Sequence, residues 1–172
     1  MIGIFGCSYV VGTGVAHNES FVNILSDVWP VLNKGIEGAG PERVWQHYLD
    51  CKDTLTYAVF CWPSIARTYT VYRNEIVNLG PWVLNQKQPY VQQYQKDLLA
   101  NRVQETNWAV INHAKNTVPM SSHFSINKMF AAGWLDLGSD GLHPGPKTHT
   151  VIADYVHRLL TAKLGPAAAT IQ

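Results

Sequence analysis

Three side chains of the types needed to make an alcohol nucleophilic stand near opposite ends of this 172-residue chain: Ser8 in "FGCSY", and Asp140 with His143 in "GSDGLHPG". A serine hydroxyl is a poor nucleophile at neutral pH because its proton is hard to remove. It needs an imidazole to take that proton, and the imidazole needs a partner that fixes its tautomer and stabilises its charged form. Asp140 and His143 lie three residues apart, set between glycines and followed by Pro144, so they can meet the second need within one rigid turn. The carboxylate accepts from one ring nitrogen and leaves the other to face the serine. The first need is met only if the two chain ends fold together.

Taken singly, each of these residues has a plainer explanation. Serine is common in turns, and an aspartate ahead of a helix reads as its cap. It is the combination that points to chemistry. Zinc is excluded as a use for His143, His149 and Asp140, because their spacing matches no familiar ligand arrangement and no cysteine pair assists. His149 and His157 are expected to be partly exposed on the final helix, and His17, His47, His113 and His123 form no constellation. Cys7 could react as a thiolate, but alternation at a strand end points its side chain away from that of Ser8. A small apolar packing role is expected for it. The glycines of "GTGVAH" lack the third glycine and the acidic strand end that a dinucleotide site requires.

The elements that must position these groups follow from hydrophobic patterning. Met1–Phe5, closed by Gly6, reads as a buried strand. Asn18 is placed to cap a helix whose Phe21, Ile24, Leu25 and Val28 share one face, ended by Pro30. "VLNKGIEGAG" reads as a second strand running into a glycine-rich loop, and Pro41 opens the helix "ERVWQHYLDC". "LTYAVFCW" is a third buried strand, stopped by Pro63. Ser64 to Pro89 reads as a loop or partly helical excursion, forming a lid or substrate wall. From Tyr90 to Lys115, Val91, Tyr94, Leu98, Trp108 and Ile111 are expected to face inward, and "TVPMSSHFSI" holds a short strand. The last helix, "THTVIADYVHRLLTAKLG", carries Val151, Ile152, Tyr155, Val156, Leu159 and Leu160 as its apolar stripe and stops at Gly165–Pro166. The terminal "AAATIQ" is expected to fray.

Strand–helix alternation argues for a parallel sheet covered by helices on both faces, a three-layer α/β/α sandwich within one domain over residues 1–172. Such sheets place their sites at the carboxyl edge. Both the loop after the first strand and the loop before the last helix can open there.

In this order, the Gly-x-Ser segment, the glycine-bearing "NKGIEGAG" and the late Asp-x-x-His-Pro resemble the SGNH, or GDSL-like, hydrolase family nearly end to end. The Gly-Cys-Ser opening is similar to that of compact, phage-like members. The resemblance implies a flavodoxin-like fold, Ser8 as nucleophile, and Asp140 and His143 as its partners. It also implies backbone N–H groups of Gly38 and Ser8 as oxyanion donors. The family's third block, Gly-x-Asn-Asp, is replaced by "FCWPSIAR". Its oxyanion asparagine therefore has no counterpart, and Ser64, Trp62 and Arg67 are the groups that could donate from that loop. Trp62 and Arg67 also count as candidate substrate contacts. The expected activity is hydrolysis of a small acyl ester, such as an O-acetyl group on a carbohydrate, with no metal or organic cofactor. The rival expectation, a carbohydrate-binding or structural module that keeps the fold and lacks chemistry, draws on the missing asparagine.

Composition narrows the partners. Apolar residues make up 47%, charged residues 15%, and the net charge is +1. No basic run suits nucleic acid, and no apolar run approaches the ~20 residues that cross a bilayer. Three cysteines, an odd number without metal-like spacing, are expected to be reduced thiols. With no basic-then-apolar leader, synthesis in the cytoplasm is expected, with action in a virion or a host cytoplasm consistent with the phage-like opening.

Overall fold

A computed structural model describes residues 1–166; the terminal "AAATIQ" lies outside the described residues. The first three apolar runs form β1 (Ile2–Gly6), β2 (Val31–Gly35) and β3 (Tyr57–Cys61). A hairpin of β4 (Thr68–Tyr72) and β5 (Glu75–Leu79) follows, and β6 (Ser121–Phe124) comes last. The main sheet runs β2-β1-β3-β6 with every neighbour parallel. The helices are α1 (Ser8–Val11), α2 (Phe21–Ser26), α3 (Pro41–Cys51), α4 (Pro89–Leu99), α5 (Arg102–Thr117), α6 (Ile126–Met129) and α7 (Pro146–Leu164).

Strand alternation divides the core into two layers. Ile2, Ile4, Tyr57, Val59 and Cys61 face α2 and α7, which contribute Phe21, Leu25, Ile152, Val156 and Leu160. Phe5, Ala58, Phe60 and Trp62 face the other way, onto Val44 of α3 and Ile111 and Ala114 of α5. The three-layer α/β/α sandwich is therefore present, and its central strands β1 and β3 are buried on both faces because helices cover both. From β1 the chain moves outward to β2 and then returns past β1 to β3. That reversal opens a crevice at the carboxyl ends of β1 and β3. No helix among the described residues is long and apolar enough to cross a membrane.

Several local expectations are corrected. Ser20, not Asn18, caps α2, accepting from the Asn23 N–H at 3.3 Å, while Asn18 sits in a separate short turn. Helix α2 ends at Ser26, which leaves Val28 exposed. The stretch from Ser64 to Pro89 is built around the β4–β5 hairpin. Its two-residue turn puts Arg73 and Asn74 at φ +51° and +64°. Positive φ at both positions is usually signalled by Asn-Gly, which is missing here. Between Tyr90 and Lys115, Asn101 at φ +59° separates α4 from α5, and Trp108 is 40% exposed instead of facing inward. On α7, Val151 and Tyr155 are exposed, and the buried stripe runs through His149, Ile152, Ala153, Val156 and Leu160.

Candidate active site

Strand β1 ends at Gly6, and Cys7 turns the chain in an extended conformation so that Ser8 begins α1. Cys7 goes into the core, fully buried, as strand alternation requires. Ser8 lies on the opposite side with its Oγ 3.1 Å from His143 Nε2. His143 Nδ1 in turn lies 2.5 Å from Asp140 Oδ2. The other carboxylate oxygen, Oδ1, accepts from the Leu142 N–H at 2.9 Å and the His143 N–H at 3.0 Å. These backbone donors, and then the ring, hold the Asp140 carboxyl down to about 2. An ionised Asp140 can only accept, so Nδ1 carries the proton and Nε2 is left to accept from the serine hydroxyl. Tyr9 stands edge-on to the imidazole at 6.0 Å and is itself backed by Trp134 at 5.3 Å.

The two chain ends are joined by backbone. The Ser139 N–H and hydroxyl both donate to the Gly14 carbonyl, at 2.7 and 3.1 Å. Gly14 adopts φ +90°, and a Cβ there would lie 3.0 Å from Asp140 Oδ1. Gly14 of "GTGVAH" thus receives the Asp–His turn. Capping of α7 falls to a different aspartate. Asp136 accepts from the Lys147 and Thr148 N–H groups, both at 2.9 Å, and from the Thr148 hydroxyl. Desolvation pushes the Asp136 carboxyl up, yet these donors together hold it below the usual carboxylate range. Asp140 is therefore free to serve the imidazole.

Ser8 and His143 line a cavity of about 440 Å³ together with Gly38, Arg67, Asn78 and Trp82. Gly38 is left-handed at φ +67°, and a Cβ on it would lie 3.2 Å from the Asn78 side chain. Its N–H makes no backbone hydrogen bond among the described residues. At the rim, the Thr13 hydroxyl donates to Glu37 at 2.8 Å, and Asn78 Nδ2 donates to the Glu37 carbonyl at 2.7 Å. Asn78 and Trp82 arrive through the hairpin that the sequence reading missed. Only the alternation in "TYTVY" and "EIVNL" signalled it.

Of the three groups offered in place of the family asparagine, Arg67 alone lines this cavity. Trp62 and Ser64 line a separate one. Trp62 spends its indole N–H on His123 Nδ1 at 3.1 Å, and the Ser64 hydroxyl accepts from the Ala66 N–H at 3.3 Å. The Arg67 guanidinium stacks 4.9 Å over Trp82, and its Nη1 is buried without a hydrogen-bond partner. The segment that carries it is pinned from behind. Asn107, fully buried in α5, donates to the Ile65 and Arg67 carbonyls at 2.8 and 2.6 Å, and the Tyr94 hydroxyl donates to the Ala66 carbonyl at 2.5 Å.

His149 does not belong to the site. Instead of being partly exposed it is fully buried, stacks on Phe21, and accepts from the Phe21 N–H at 3.1 Å. Among the described residues no group of three His, Cys, Asp or Glu side chains is placed to hold a metal.

No protein-family model matches the sequence, and no curated protein matches it. Solved structures do match. The psychrotrophic esterase EstA from Pseudoalteromonas sp. aligns over 94% of this chain and 96% of its own, at 15% identity and a TM-score of 0.52. A lipolytic protein of the G-D-S-L family from Desulfitobacterium hafniense aligns over 92% and 98%, at 14% identity and a TM-score of 0.51. At such identities the likeness is one of fold, and the chain has the fold of the SGNH, or GDSL-like, hydrolases.

Proposed function

We propose that this protein is a serine esterase. The observation that carries the proposal is the continuous contact from Ser8 Oγ through His143 to Asp140, at 3.1 and 2.5 Å, on the wall of an open cavity. Ser8 Oγ attacks the ester carbonyl carbon as His143 Nε2 takes the hydroxyl proton, and the carbonyl π electrons move onto oxygen. Asp140 holds the resulting imidazolium. The oxyanion accepts from the Ser8 N–H, which as the first residue of α1 has no intrahelical partner, and from the Gly38 N–H. Arg67 supplies the third donor from the segment where the family carries asparagine. As the intermediate collapses, His143 returns the proton to the departing alcohol, leaving an acyl group on Ser8. Water, deprotonated by His143, then releases the acid and restores the serine.

The proposed substrate is a small acyl ester on a carbohydrate. The Trp82 ring face, the Asn78 amide and the Thr13–Glu37 pair suit a hydroxylated alcohol portion beside the reacting serine. A fold neighbour, the Pseudoalteromonas esterase, is inhibited by monoethylphosphonate, which makes a fluorophosphonate probe the matching test. Wild type should be labelled and should hydrolyse p-nitrophenyl acetate, and Ser8→Ala should do neither. Equal labelling of both overturns the assignment of Ser8. A wild type that is unlabelled and inert transfers the protein to the rival reading, a binding module of the same fold, which the missing asparagine favours.

A further inference from the structure

The cavity that Trp62 and Ser64 line lies beyond the serine site, at the carboxyl ends of the adjacent strands β3 and β6, and measures about 410 Å³. Its walls are the segments that follow the two strands and one face of α5, where Trp108, Ile111 and Lys115 fall three and four residues apart. Two ammonium groups reach it, Lys115 and Lys128, and no carboxylate lines it. Neither lysine forms an ion pair among the described residues. Lys128 Nζ sits 5.4 Å from the centre of the Trp108 ring, which keeps that charge beside an accessible aromatic face.

Catalysis is not what this cavity is built for. His123, its one imidazole, has both ring nitrogens engaged: Nδ1 accepts from Trp62, and Nε2 contacts the Ser121 hydroxyl at 2.8 Å. With the histidine and the Trp62 indole spent on each other, no base remains to activate a nucleophile. The side chains of Ser125 and Asn127 make no hydrogen bond among the described residues, so a hydroxyl and an amide remain for a ligand. Two unpaired cations, an aromatic face and neutral groups for hydroxyls together select an anion carried on a hydroxylated ring.

We propose that this cavity is a second binding site, for a carboxylate-bearing sugar unit of an acidic saccharide. The choice of a saccharide over other ring-bearing anions rests on the carbohydrate-ester reading of the Ser8 site; the preference for an anion does not. Position links the two sites. Ile65 lines this cavity and Arg67 lines the other. Two residues of chain span at most about 7 Å, so the sites share a single wall. One saccharide strand draped over the Trp62–Arg67 segment would lay an acidic unit here while presenting an acyl ester to Ser8.

The test uses the full chain carrying Ser8→Ala, so that no ligand is consumed, and follows tryptophan fluorescence and titration calorimetry with an unacetylated galacturonate trimer. The trimer should bind, maltotriose should bind at least about tenfold more weakly, and affinity should fall as ionic strength rises from about 50 to about 500 mM. Lys115→Gln with Lys128→Gln should weaken the trimer about tenfold, and Trp108→Ala should do the same. Both variants should keep their far-ultraviolet circular dichroism, since all three side chains are exposed. Binding of maltotriose equal to that of the trimer, or trimer binding that the lysine changes leave intact, overturns the site. Tighter binding of adenosine monophosphate than of the trimer overturns the saccharide class. Failure of the esterase reading appears separately, as wild type inert towards p-nitrophenyl acetate while the trimer still binds.

Discussion

A carboxylate in an exposed turn can cap a helix, pair with a cation or orient a ring, and only its neighbours decide among these. Asp136 and Asp140 stand four residues apart and are divided on that basis: the first ties down the start of α7, the second holds His143. His143 remains partly exposed, so replacing its side chain should cost chemistry and not stability, whereas Asp140 also accepts from two backbone N–H groups and contributes to both. His143→Ala is expected to lower p-nitrophenyl acetate turnover at least about a thousandfold, with a melting temperature within about 2 °C of wild type. A large drop in melting temperature would make the imidazole structural. Asp140→Asn should cost a similar factor because an amide can stabilise the wrong tautomer. For Arg67→Ala the expectation is a fall in kcat of about a hundredfold with a smaller change in KM, as for loss of one oxyanion donor. Arg67→Lys should recover part of it by keeping the charge. A change confined to KM would place Arg67 in substrate binding alone.

Elements carry these side chains to one place by backbone contacts that are themselves testable. Asn107, reaching from α5, satisfies two carbonyls of the Trp62–Arg67 segment. Asn107→Ala strands both in a buried setting and should cost about 2–3 kcal/mol, read as a lowered melting temperature together with a lowered kcat. Asp136→Ala removes the α7 cap and should cost about 1 kcal/mol, or roughly 2–4 °C in melting temperature for a chain of this size. At this scale legibility was uneven. Strands β1 and β3 and the start of α3 could be read because buried parallel strands are continuous apolar runs and Pro at a helix start has a fixed φ. The hairpin was missed because Arg73–Asn74 takes a turn that glycine usually marks, and with it went Asn78 and Trp82. Asn107 looks like any polar residue on a helix, and nothing local reveals that two carbonyls wait above it.

For the molecule as a whole, desolvated imidazoles set the response to acid. His149 is fully buried, and desolvation lowers its pKa to about 4; His123 is also lowered to about 4, by desolvation and then by Lys115. In an unfolded chain each would titrate near 6.5. Between about pH 6.5 and pH 4 the unfolded state binds protons that the native state refuses, so stability falls as pH falls through that window. His149 alone is worth up to about 3 kcal/mol across it. Asp140 acts lower and through the opposite chemistry: its native carboxyl, near 2, contributes stability that is complete above about pH 3.9 and lost as pH drops through 2. Urea unfolding at stepped pH should therefore show a decline that begins near 6.5. A stability unchanged from pH 7 to pH 4 would contradict the desolvation of both histidines.

Residue type and order were enough to establish the class of sheet, the serine at the first turn and the Asp–His turn before the last helix, because each answers to a rule that acts within a few residues. Hydrophobic period decides strand or helix, and proton transfer decides which side chains must keep company. Tertiary structure decided the rest. It put His143 against Ser8 through the Gly14–Ser139 contact, assigned the cap of α7 to Asp136, buried His149, and separated Arg67 from Ser64 and Trp62 into different cavities. The Ser8–His143 contact and the burial of His149 depend on surfaces that meet across more than a hundred residues of chain. The others depend on segments further apart than any local pattern reaches, and all are fixed by packing.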